Sequence, residues 1–219
     1  MQQIKLLHTL YQQRSLGFKY FSDIKSVPFE KSDIDDMPSL LPQLQSYLGD
    51  CSLCNLSKSR KHIVFGEGNP EADIMFVGEA PAELEDESGR VFVGRSGEML
   101  DKIIQNVLNL RREDVYIANI VKCRPPLNRT PTQEEALMCK PFLIKQIEIV
   151  KPKIIVALGA TSYSYLTGDM SGDISKVRGE IISFGSSKLM PTFHPSYLLR
   201  NPSFKKDVMG DMLKVKGIL

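Results

Sequence analysis

The sequence predicts an α/β protein of three layers, α/β/α, around a central, mostly parallel four-stranded sheet. Two observations predict it. From residue 51 onward there are four short apolar runs, "ADIMFVG" (72–78), "VYIANIVKC" (115–123), "KIIVALG" (153–159) and "KLMPTFH" (188–194). Between and after them come helical patterns near 96–109, 132–150, 160–167 and 204–215. Short, β-branched strands separated by helices imply a parallel sheet covered on both faces.

The elements have local reasons as well. In the first helix of the domain, Asp101, Ile104 and Leu108 fall at helical spacing, and Ile103, Val107 and Leu110 widen the apolar stripe. "TPTQEE" (130–135) reads as a helix start, with a Thr cap, Pro at the first position and Glu near the third. The first fifty residues are different. Ile4, Leu7 and Tyr11 share a helical face, "SDIKSVPFEKSDIDDMPS" is a Pro-punctuated linker, and "LLPQLQSYLGD" forms a short helix leading to Cys51. The expected division is a helical appendage and linker at 1–45 and a single domain at 46–219.

The 219 residues suit one such domain, and 42% hydrophobic with 25% charged residues are ordinary globular values. The formal net charge of +2 means that a nucleic-acid partner would need basic residues gathered on one face. No apolar run approaches the ~18 residues of a membrane span. The N-terminus lacks the apolar core and small-residue cleavage site of a signal peptide. A cytoplasmic, monomeric protein with no membrane partner is expected, and there four cysteines are more often ligands, catalytic groups or buried thiols than disulfides. Cys51 and Cys54 form a C-x-x-C pair, while Cys123 and Cys139 are isolated. Spacing leaves two readings even: one redox or zinc pair with two buried thiols, or a four-thiolate site, which an iron–sulfur cluster would suit.

Ligands of parallel sheets bind beyond the carboxyl ends of the strands. The first strand runs into "GEAP", the second holds Asn119 and ends in "KCRPP", and the fourth ends in "FHPS". These polar loops define one pocket. Beside it, "VGEAPAELEDESGRVFVG" (77–94) carries five carboxylates, Glu79, Glu83, Glu85, Asp86 and Glu87, next to Phe92. Such a loop would repel phosphates. Taken alone, Phe92 reads as core and Asn119 as an amide bonded to a neighbouring loop.

Several long stretches carry a resemblance: "CSLCNLSKSR", "VFGEGNPEADIMFVGEAP", "EDESGRVFVGRSGEMLDKI", "YIANIVKCRPPLNRTPTQEE", "IIVALGATS" and "FHPSYLLR". In this order they resemble the family-four uracil-DNA glycosylases, the bacterial and archaeal type that carries a 4Fe-4S cluster, from about residue 51 to 215. The resemblance implies that Cys51, Cys54, Cys123 and Cys139 hold the cluster in a structural role. It implies monofunctional hydrolysis of the uracil N-glycosidic bond in single- or double-stranded DNA, with uracil against Glu79, Ala80, Pro81, Phe92, Asn119 and His194. Phe92 would stack on the ring, Asn119 would select uracil over cytosine, and His194 would donate to uracil O2. Glu79 and Glu85 become candidates for stabilising the sugar cation or orienting water, with Glu85 alternatively blocking a thymine methyl group. Glu83, Asp86 and Glu87 remain a solvated turn. Arg95, Arg124, Arg129 and Arg200, with Lys122, Lys205 and Lys206, would meet DNA phosphates, and Leu198 would be the apolar wedge. One departure stands out: the family's "GEAPG" loop ends here in Ala82, whose methyl group is expected to shift the loop.

Overall fold

The computed structural model describes residues 34–170 and 172–219. Its strands are β1 (Glu67–Gly68), β2 (Ile74–Gly78), β3 (Tyr116–Asn119), β4 (Ile154–Leu158), β5 (Ile182–Phe184) and β6 (Ser187–Thr192). Among the described residues the helices are α1 (Leu41–Leu48), α2 (Glu83–Ser88), α3 (Arg95–Ile103), α4 (Gln133–Val150), α5 (Ala160–Thr167), α6 (Ile174–Val177), α7 (Pro195–Arg200) and α8 (Lys205–Lys216). A π-helical turn, Ile104–Leu108, extends α3.

The sheet order is β1-β3-β2-β4-β6-β5. The four expected strands, β3, β2, β4 and β6, form its parallel centre, and β1 and β5 add antiparallel edges. The sheet therefore has six strands rather than four. The two edges escape a sequence reading because β1 is two residues long and β5 exposes or half-exposes all three of its side chains, so neither has a buried apolar run. Every residue of β2 and β4 is buried. Their side chains alternate between two cores, as the period of two requires. Ile74, Phe76, Ile117, Ile154 and Val156 pack towards α3 and α8, while Met75, Val77, Ala118, Ile155 and Ala157 meet Leu143, Ile147, Tyr163 and Leu166 of α4 and α5.

Helix α4 starts two residues later than "TPTQEE" suggests. Thr132, not Thr130, is its cap: the Glu135 N–H donates to Thr132 Oγ1 at 3.2 Å, and Glu135 Oε2 accepts from the Thr132 N–H at 2.8 Å. Pro131 precedes the helix, so the reciprocal capping pair overrides the proline as the start signal. Helix α1 straddles the 45/46 boundary, and its Leu44 and Leu48 pack with Met37, Phe65 and Phe142. The helical face of Ile4, Leu7 and Tyr11 lies outside the described residues. No described helix is long and apolar enough to cross a membrane.

This topology sets up the site. With β2, β3, β4 and β6 all parallel, the segments after Gly78, Asn119, Leu158 and Thr192 leave the sheet at one edge. The chain order reverses between β2 and β4, which is where such sheets open a crevice.

Candidate functional site

A cavity of about 790 Å³ opens at that edge. It brings together Glu79, Ala80, Pro81, Glu85, Phe92, Arg95, Asn119, Arg129, His194 and Arg200. Asn119 and His194, 75 positions apart in the sequence, share this cavity.

Asn119 is the last residue of β3, opposite Gly78 of β2, rather than a mid-strand residue. It is 1% exposed, and its Oδ1 is a buried polar atom without a hydrogen-bond partner among the described residues. An orphaned acceptor of this kind costs about 1–3 kcal/mol unless something fills the bond. The next strand makes room for it. A Cβ on Gly78 would lie 2.4 Å from Asn119 Oδ1 and 2.7 Å from Phe92 Cζ, so only a glycine lets both side chains meet there.

Phe92 lies in a turn, not a strand, with φ +49. That backbone is strained for an aromatic residue, and its neighbours hold it. Arg112 donates to the Val91 carbonyl at 2.5 Å, and Glu85 Oε1 accepts from the Val93 and Gly94 N–H groups at 3.0 and 3.3 Å. A Cβ on Gly97 of α3 would fall 1.7 Å from the Phe92 carbonyl oxygen, so the helix closes on the turn only because residue 97 is glycine. The Phe92 ring lines the cavity 5.7 Å from the His194 ring.

His194 caps α7. The Ser196 N–H donates to its Nδ1 at 3.1 Å, and Ser196 Oγ lies 2.8 Å from the same nitrogen. A nitrogen that accepts a backbone N–H carries no proton, so the proton of the neutral ring sits on Nε2. Desolvation in the cavity, helped by Arg200, pushes the imidazole pKa down to about 4. His194 is therefore a neutral donor at physiological pH. Gly159, at φ +91, supports it, since a Cβ there would meet the His194 Cβ at 3.1 Å. Below pH about 6.5 the unfolded chain takes up a proton that the folded ring refuses, so stability falls with pH down to about 4. The expected pH–rate profile shows no His194 inflection near 6.5 and a loss of activity approaching pH 4. Following the His194 ring signals by NMR through an acid titration checks the assignment.

The acidic segment is a helix, α2, and not an open loop. Glu85 is 8% exposed, and its second oxygen accepts from the Ala82 N–H at 3.1 Å. With both oxygens on backbone N–H groups, Glu85 ties α2 to the Phe92 turn, and it also lines the cavity. Asp86 also departs from the solvated-turn expectation. It is 2% exposed and accepts from the Lys61 and His62 N–H groups at 2.9 and 3.3 Å. Glu79 lines the cavity, and among the described residues no hydrogen bond holds its carboxylate. Ala82 has φ −96 and is exposed, a backbone any residue adopts, so its methyl group strains nothing.

The basic set divides. Arg95 and Arg200 are exposed at the cavity rim. Arg129 also lines the cavity but is held by Glu135 through two bonds of 2.8 and 2.7 Å. Arg124 stands just outside, bonded to Asn128 and Glu83. Lys122 is corrected: 1% exposed, it donates to the Asn119 carbonyl and to Gln146 Oε1, out of reach of any phosphate. Leu198 is corrected too. It is 1% exposed inside the main core, so it cannot act as a wedge.

The four cysteines meet away from this cavity, lining a second, smaller one with Arg60 and Lys122. Arg60 Nη1 donates to Cys123 Sγ at 3.5 Å and the Lys122 N–H to Cys139 Sγ at 3.3 Å. Burial pushes the Cys123 thiol up to about 11 and the Cys139 thiol up to about 12. Among the described residues no group of three or more His, Cys, Asp or Glu closes on a single metal-ion position.

Sequence reasoning missed the supports: Gly78, Gly97, Gly159, Ser196 and Arg112. Only Gly97, a glycine within a helical pattern, left a signal that could have found it.

Fold and cavity together define a class. The family model "Uracil DNA glycosylase superfamily" matches residues 65–214. A type-4 uracil-DNA glycosylase of Thermotoga maritima is 51% identical over 172 residues, covering 77% of this chain and 89% of its own. One from Saccharolobus solfataricus is 48% identical, covering 77% and 82%. A type-5 uracil-DNA glycosylase of Pyrobaculum aerophilum is 32% identical, covering 60% and 64%. The chain belongs to the type-4 family of the uracil-DNA glycosylase superfamily.

Proposed function

We propose that this chain is a monofunctional uracil-DNA glycosylase that hydrolyses the bond between uracil and deoxyribose, leaving free uracil and an abasic site for base excision repair. The observation that carries this reading is the Oδ1 of buried Asn119, unpartnered among the described residues, in one cavity with Phe92 and His194. A uracil edge offers N3–H and O4, one donor beside one acceptor, which an amide matches. Cytosine presents the inverse pattern and would leave buried groups unpaired.

A base in a duplex must first be turned out, at a cost of about a few kcal/mol. Stacking on Phe92 returns about 1–3 kcal/mol of this. As water attacks C1′ and the C1′–N1 bond breaks, the electron pair goes to uracil, and negative charge grows on O2. The Nε2–H of neutral His194 is the donor for that charge, a contribution worth about 10²–10³ in rate. Glu79, the cavity carboxylate left free of hydrogen bonds among the described residues, is the group to orient water or face the sugar cation.

The donor set of the second cavity fits an iron–sulfur cluster. Four thiols line one space, and two of them already accept N–H bonds. Cys51, Cys54, Cys123 and Cys139 would hold a 4Fe-4S cluster that clamps the segment after β3 to the start of the domain. Its chemistry there is cross-linking; the bond cleavage is left to the first cavity.

The test is incubation with a uracil-bearing oligonucleotide followed by alkali, on protein assayed for iron. Strand breakage at the uracil position is expected, with cytosine and thymine controls intact and about four irons per chain. Tight binding without breakage would turn the reading to a non-catalytic or weakly catalytic binder of uracil-containing DNA.

A further inference from the structure

Deepening this glycosylase reading, and resting on it, we propose that Leu127 is the side chain that enters the DNA base stack when uracil leaves it. Leu127 is 96% exposed, whereas the next most exposed large hydrophobic among the described residues, Met170, is 61% exposed. A side chain this exposed buries almost no apolar area and so adds little to the fold. It also sits in the left-handed region, φ 56 and ψ 22, followed by Asn128 at φ 54. Two successive side-chain-bearing residues in that region persist only where their surroundings enforce it, and such outliers gather at functional sites.

The surroundings do enforce it. The Asn128 N–H donates to the Pro125 carbonyl at 3.0 Å and the Arg129 N–H to the Pro126 carbonyl at 3.2 Å, closing the turn beneath the leucine. On one side Arg124 bridges Asn128 Oδ1 at 2.8 Å and Glu83 of α2 at 3.4 Å. On the other, Glu135 anchors Arg129. The apolar tip is thus presented on a braced turn rather than a loose loop. Pro125, Asn128 and Arg129 all line the cavity, so the turn that carries Leu127 borders it.

Its occupant is the duplex beside the extruded nucleotide. Extrusion leaves an apolar slot one base thick, which an inserted leucine fills while water cannot do so without loss of stacking. Exposed Arg95 and Arg200, lining the same cavity, supply positive charge for the flanking phosphates. Leu198, buried in the core, is no competitor for this role.

The test compares wild type, Leu127→Ala and Leu127→Phe on a uracil-bearing duplex and on the same strand unpaired. Leu127→Ala should lose about tenfold or more of its rate on the duplex. On the single strand, where no paired stack needs holding open, it should lose less than about twofold. Leu127→Phe should restore duplex cleavage, and the melting temperature should stay unchanged in both variants. Equal losses on the two substrates, or an undiminished duplex rate, would overturn the assignment while leaving the glycosylase reading intact. A wild-type chain that frees uracil from neither substrate overturns that reading and this inference with it.

Discussion

Replacing Asn119 with Ala should lower uracil release by about 10²–10³-fold, with little loss of fold stability. Both halves follow from the same atom. The Asn119 Oδ1 is buried and unpaired among the described residues, so the native fold gains no hydrogen bond from it and bears a desolvation cost. Removing it relieves that cost while opening a small void beside Gly78 and Phe92. On the proposed reading, the base then loses the amide that tells an N3–H from a bare N3. Discrimination between uracil and cytosine oligonucleotides should fall in the same variant. Single-turnover cleavage of the two substrates, beside a thermal melt, measures both effects. A variant that cleaves at the wild-type rate would strip Asn119 of its role, and unchanged selectivity would strip it of the recognition account.

Gly78→Ala is expected to be nearly as damaging, although residue 78 contacts no base. Its Cβ would lie 2.4 Å from Asn119 Oδ1 and 2.7 Å from Phe92 Cζ. Both are ends of side chains, so the backbone of β2 can stay in place while the two side chains move. A shift of about 1 Å in groups that orient a substrate costs about 10²-fold in rate. Stability should fall by only about 1–3 kcal/mol, the usual range for overpacking a core. Gly97→Ala offers the contrast. There the clash, at 1.7 Å, is with the Phe92 carbonyl oxygen, which is backbone and cannot swing aside. Denaturant melts paired with kcat and KM separate the two cases. Gly78→Ala should keep a cooperative transition and lose kcat, whereas a Gly78→Ala variant that unfolds would mean the glycine serves the core alone.

The parallel centre of the sheet was legible because each of its strands is a dense apolar run, and burial on both faces demands that pattern. The edge strands had no such demand upon them. That Asn119, Phe92 and His194 share one cavity was legible only through the family resemblance, since taken alone Phe92 reads as core and Asn119 as a structural amide. The roles misread were those decided by where a long side chain turns. Asp86 looks like a solvated charge in a linear reading, yet the chain folds back over it and over Glu85 and gives each a set of backbone N–H donors. Lys122 and Leu198 sit in the expected motifs, but hydrogen bonds to the Asn119 carbonyl and Gln146 draw the first inward from its bend beyond β3, and helix phase turns the second into the core. Leu127 was silent in the sequence because its meaning lies in a backbone angle, which no spacing records.

One consequence follows from the uncharged state of the His194 ring. A neutral imidazole exerts no long-range pull on the phosphodiester chain, and its single directional contact is not weakened by dissolved ions. On the proposed reading the exposed arginines at the rim would work oppositely, drawing the polyanion in and losing their grip as counterions accumulate. In that proposal capture and bond rupture would fall to groups with different sensitivities to ionic strength. Raising salt should slow the enzyme's search for its lesion while sparing the step that follows.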